Sequence, residues 1–142
     1  MNSGGTVLAV RSQELTYVAL KMTSREVNGT AVLALHGRIV LGDGHRALCD
    51  KLKNLMSEGQ KKIVLNLDHI EHIDGFGLGV LIAAHLSAKT QGASLKLCHI
   101  GGKFQEVLQL TKLATVFHVS TTEAVALASF STPPDEPPTT HP

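Results

Sequence analysis

Hydrophobic positions along this chain switch between two periods, and the switches mark the elements. Thr23 to Val27 and Thr30 to Leu35 are β-prone runs separated by Asn28-Gly29. That dipeptide tolerates the two positive φ angles of a type I′ turn, so an opening antiparallel hairpin is predicted. After Gly42-Asp43-Gly44 the period lengthens, with Leu48, Leu52, Leu55 and Met56 recurring at three-and-four spacing before Gly59. This predicts an amphipathic helix with a glycine stop. KKIVLNL (61–67) is a nearly unbroken apolar run, as in strands buried on both faces of a parallel sheet. Asp68 to Asp74 follows as a loop, and Val80 to Leu86 forms the apolar body of a second helix starting near Gly77.

Further on, ASLKLCHI (93–100) alternates as a strand, KFQEVLQLTKL (103–113) suits a short helix and TVFHV (115–119) a short strand. TTEAVALASF (121–130) opens on a threonine capping signal and continues with an apolar helical face. Thr16 to Met22 is β-prone but has no clear turn partner before it, so residues 1–20 are expected to be an N-terminal arm or an extra edge strand. The order β-β-α-β-α-β-α-β-α implies a single α/β domain over residues 21–130. Its sheet is mixed and mostly parallel, with about four helices.

Composition sharpens the boundaries. The 142 residues suffice for one domain with a real core. All 5 prolines fall in PPDEPPTTHP (133–142), so residues 131–142 are expected to be a disordered, partly polyproline tail. Lys and Arg number 13 against 12 Asp and Glu, dispersed along the chain, which argues against a nucleic-acid partner. Cys49 and Cys98 sit in apolar surroundings without metal-ligand spacing and read as free thiols. No basic segment leads into a sustained apolar run, and no stretch reaches the roughly 18 apolar residues of a membrane span, so a cytoplasmic protein without membrane insertion is expected.

Candidate chemistry centres on Asp74-Gly75-Phe76-Gly77-Leu78-Gly79. A dinucleotide fingerprint fails there, because the positions three beyond Gly77 and Gly79 are Val80 and Ile82. A P-loop fails as well, since Lys103 after Gly101-Gly102 lacks the hydroxyl neighbour and the first glycine. No GxSxG elbow supports a hydrolase. His69 and His72, with Asp68, Glu71 and Asp74, are rich in metal-ligating types, but neighbouring positions of an extended segment face opposite ways and the helical HExxH spacing is absent. They read as solvated loop residues with at most a mild pH effect on binding. No catalytic residue, metal or cofactor is expected. Asp74 either caps the following helix or belongs to a recognition surface at the carboxyl end of a central strand.

The segments Ile73-Asp74 with Gly77-Leu78-Gly79-Val80-Leu81, the strand after Gly92, Leu108 to Leu113 and Val116 to Ala124 stand in one register. In that register the chain, from Val27 to about Phe130, resembles a STAS domain, the module shared by anti-sigma-factor antagonists and the cytoplasmic part of sulfate transporters. The resemblance implies a non-catalytic, protein-binding regulator. In bacterial antagonists of this family, a serine directly after the loop aspartate is phosphorylated by a partner serine kinase that is also the anti-sigma factor, and the unphosphorylated form binds that kinase.

Here Gly75 occupies the acceptor position and has no hydroxyl. Phe76 follows, and the nearest downstream hydroxyl, Ser87, lies about three helical turns away. A domain not switched at the usual site is therefore expected. Arg38, Asp43, Gly44, Asp74, Gly75, Phe76, Gly77 and Leu78 are the implied partner-binding positions. Phe76 either faces the partner or packs inward. A scaffold subunit of a lipid-transport or stress-signalling complex, a nucleotide sensor and a homodimer remain as alternatives.

Overall fold

A computed structural model describes residues 13–17 and 19–130. The expected Pro-rich tail, residues 131–142, lies outside the described residues, as does most of the expected N-terminal arm. The strands are β1 (Gln13–Thr16), β2 (Leu20–Val27), β3 (Thr30–Ile39), β4 (Lys62–Ile73), β5 (Ser94–Cys98) and β6 (His118–Ser120). The helices are α1 (Asp43–Ser57), α2 (Gly75–Thr90), α3 (Gly102–Leu110) and α4 (Glu123–Ser129). All six strands lie in one sheet in chain order, antiparallel from β1 to β3 and parallel from β3 to β6.

Asn28 and Gly29 hold φ of 50° and 82°, and the β2–β3 hairpin closes around them with Val27 opposite Thr30. The hairpin is longer than its pattern: β2 begins at Leu20 and β3 runs on to Ile39. Thr16 to Met22 is therefore not one strand. It divides between the end of β1 and the start of β2, which pair antiparallel.

Alternation decides which face each strand residue serves. Leu33, Leu35, Ile63, Leu65, Leu95 and Leu97 join Leu48 and Leu52 of α1, Leu81 and Ala84 of α2, and Phe104 and Leu108 of α3 in the main core. Val32, Val64 and Cys98 point the other way, onto Ala126, Leu127 and Phe130 at the α4 end. The unbroken Ile63-Val64-Leu65 run thus fills two apolar layers at once. Burying a leucine such as Leu81 fully contributes about 2 kcal/mol. Polar contacts fasten α4: Arg25 pairs with Glu123, Asn66 Nδ2 donates to Glu123 Oε1 at 3.0 Å, and Lys96 Nζ donates to Ser129 Oγ at 2.6 Å.

β4 departs from expectation. Asp68 to Ile73 is strand, not loop, and pairs with the end of β3 through two register shifts. Its Asp68, His69, Glu71 and His72 are exposed while Ile70 and Ile73 pack on the core, so this half extends past the helix cover and lost its apolar signature. His69 is accordingly no loop residue; its ring stacks on that of His36, with centroids 4.6 Å apart. Smaller shifts occur at α2, which starts at Gly75 and not Gly77, and at β6, which starts at His118 after Phe117 has turned into the core. Among the described residues, no helix is long and apolar enough to cross a membrane.

Candidate functional site

At the carboxyl ends of β3 and β4 the chain leaves the sheet twice, through Val40 to Gly42 into α1 and through Asp74 into α2. Asp74 joins the two exits. Its Oδ1 accepts from the Gly77 N–H at 2.8 Å, which caps α2, and its Oδ2 accepts from the Leu41 N–H at 3.4 Å. Its own N–H donates to the Ile39 carbonyl at 3.3 Å. Hydrogen bonding from the Gly77 N–H, opposed by partial desolvation and aided by Leu41 and Phe76 N–H groups, lowers the Asp74 pKa below the usual carboxylate value. The result is a fixed anion at the start of a helix whose dipole favours it.

Gly77 explains why the helix can begin so close to β3. A Cβ there would overlap the Ile39 carbonyl oxygen and stand 2.8 Å from Ile73 Cγ1. Gly75 is the opposite case, exposed and with nothing within 4 Å of an added Cβ. Between them, Phe76 points outward with 58% of its surface accessible, touching the His45 ring edge-on at 6.4 Å between centroids. Of the two orientations open to Phe76 from sequence, the outward one is found. Leu78 is half-buried against the core.

The remaining sequence-selected residues gather at the same end of the sheet in different ways. Asp43 is exposed in the first turn of α1, whereas Gly44 is buried with room only for hydrogen against Leu20 Cβ. Arg38 stays on β3, exposed and opposite His72 in register. Two residues not selected from sequence join the surface: Leu41, 58% exposed, and His45. Leu41 had a readable signal, an apolar residue just before Gly-Asp-Gly where no helical or strand period asks for one. His45 had none, because its contact crosses between two helices.

The arrangement offers an apolar pair, Leu41 and Phe76, around a held carboxylate, with exposed backbone at Gly75. It contains no nucleophile beside a base, and among the described residues no group of three or more His, Cys, Asp or Glu is placed to hold a metal ion. Such a surface suits protein contact, where aromatic anchors supply much of the binding energy.

Comparison with known proteins agrees with the fold. A family model described as the STAS domain matches residues 19–126. BtrV of Bordetella bronchiseptica, named as an anti-sigma factor antagonist, is 24% identical over 113 residues, covering 80% of this chain and 97% of that protein. A Thermotoga maritima structure, described as that of an anti-sigma factor antagonist, superposes with a TM-score of 0.72 at 24% identity, over 77% of this chain and 93% of that one. SpoIIAA, a Bacillus cell fate determinant solved in its phosphorylated form, gives a TM-score of 0.60 at 16% identity, over 84% and 98% of the two chains.

Proposed function

The chain belongs to the STAS domain family, and from that premise we propose that it is an anti-sigma factor antagonist acting by protein binding. It engages an anti-sigma factor serine kinase through Leu41, Asp43, Asp74, Gly75 and Phe76, with Arg38 at the margin. It is not switched by phosphorylation at the position the family uses. The observation that carries this reading is the pairing of an exposed Phe76 with a neighbour, Gly75, that has no hydroxyl to accept phosphate. A phosphate at that point would add nearly two negative charges beside Asp74 and repel or desolvate a partner. Without an acceptor the surface stays competent, and regulation falls to the partner's abundance or state.

A nucleotide-sensing role is less well supported. From β3 to β6 each strand is added on the same side, and α1, α2 and α3 all share one core, so the strand order never reverses to open the crevice where α/β sheets take nucleotides. The cleft beside the start of α3, about 580 Å³, has Glu71 and Glu106 in its lining, which oppose a phosphate. The test of the proposed function is capture of partners from the source organism with wild-type protein and an Asp74→Ala/Phe76→Ala double variant. The reading expects an ATP-binding anti-sigma kinase bound by wild type and lost from the variant. Capture of transporter or signalling-complex subunits instead would move the protein to a scaffold role.

A further inference from the structure

Two helices lie side by side on one sheet face and turn different surfaces to water. The exposed positions of α1 are polar, among them Arg46, Asp50, Lys53 and Asn54. On α2 the exposed positions include Phe76, Gly79, Ala83 and Leu86, spaced three, four and three, with Phe76 58% and Leu86 56% accessible. A helix that is apolar on its buried face and also along its outer stripe ordinarily has a partner on both sides.

The stripe is self-complementary. Large Phe76 and small Gly79 stand on one side of the level of Leu81, small Ala83 and large Leu86 at equal separations on the other. Antiparallel pairing about a two-fold axis at that level sets each Phe76 against the other chain's Leu86, and each Gly79 against the other chain's Ala83. The small residues let the helix axes approach while the large ones close the two ends. The antiparallel sense also sets the two helix dipoles against one another, which favours this pairing over a parallel one.

We infer that α2 is a homodimerisation surface, with a second copy of this chain as its occupant, packed antiparallel through Phe76, Gly79, Ala83 and Leu86. One helix pair buries an area near or below the ~1,200 Å² of transient interfaces, so the dimer is weak and concentration-dependent. Because Phe76 belongs to both surfaces, a kinase partner and a second copy exclude one another; that consequence, unlike the dimer, rests on the function proposed above.

Sedimentation velocity of the full chain from about 10 µM to about 1 mM, a range bracketing weak association, tests the dimer. Wild type is expected to pass from the 15.1 kDa monomer towards twice that mass. Leu86→Glu, checked for folding by circular dichroism, is expected to remain monomeric throughout. The pairing is read separately in a Cys49→Ser background by mixing Gly79→Cys protein with Ala83→Cys protein under mild oxidation. An added Cβ at Gly79 meets nothing within 4 Å. In an equimolar mixture the mixed disulfide should exceed the sum of the two self-disulfides, which is its share under random pairing. A wild type that is monomeric at every concentration overturns the inference, as does a Leu86→Glu variant that dimerises like wild type or a mixed disulfide no more abundant than the two self-disulfides together. None of these outcomes bears on kinase capture, so the two readings fail independently.

Discussion

Gly75 and Gly77 stand in the same turn of α2 and have opposite surroundings. At Gly77 the backbone of β3 and the Ile73 side chain leave no volume for a methyl group; at Gly75 a side chain would extend into open space. One glycine is required by packing, and the other leaves a surface position without a functional group. A single helical turn therefore has two unlike sides: its inner side anchors α2 to the sheet and its outer side presents Phe76 to solvent.

The largest expected effect falls on the inner side. Gly77→Ala would force α2 away from β3 at backbone level, beyond ordinary overpacking, and should cost about 3 kcal/mol or more in urea or thermal unfolding. A Gly77→Ala protein as stable as wild type would show that the two glycines are equivalent. Next comes the outer side. Phe76→Ala should weaken partner binding by about 2 kcal/mol, roughly 30-fold, while changing stability little, because the ring is mostly exposed. Titration calorimetry with the captured partner, set beside a thermal melt, separates the two quantities.

Asp74 links the two sides, and pH is the way to loosen it. Its folded pKa is lowered by the Gly77 N–H, so its contribution is fully present above the unfolded value near 4 and is lost as pH falls through the folded value. His36, His85 and His118 are lowered as well, each chiefly by burial, so they favour the fold in their neutral form. Their contribution is present above about pH 6.5 and declines below it. Melting temperatures should therefore fall in two stages on acidification, and Asp74→Ala should flatten the lower one. The smallest effect is expected at Gly75: Gly75→Ser should change stability by no more than about 0.5 kcal/mol, consistent with open space and a helical first position.

Much of the fold was legible because burial imposes a period. The Asn28-Gly29 hairpin, the α1 stripe and the two-sided Ile63-Val64-Leu65 run each follow from one physical demand. The second half of β4 was not legible, since Asp68 to His72 pairs with β3 beyond the helix layer and has no reason to be apolar. β1 is short and on an edge, which leaves few residues to show alternation. At the site, the capping potential of Asp74 and the missing hydroxyl of Gly75 were readable. The difference between Gly75 and Gly77 was not, because it depends on Ile39 and Ile73, far away in the chain and adjacent only once β3 and β4 have paired.

The most direct measurement of the central claim is the intact mass and partner binding of wild type and Gly75→Ser after incubation with the proposed kinase partner and ATP. The account predicts that wild type gains no phosphate and keeps its affinity, whereas Gly75→Ser gains one phosphate and loses binding. A phosphate on wild type, accompanied by release of the partner, would contradict it.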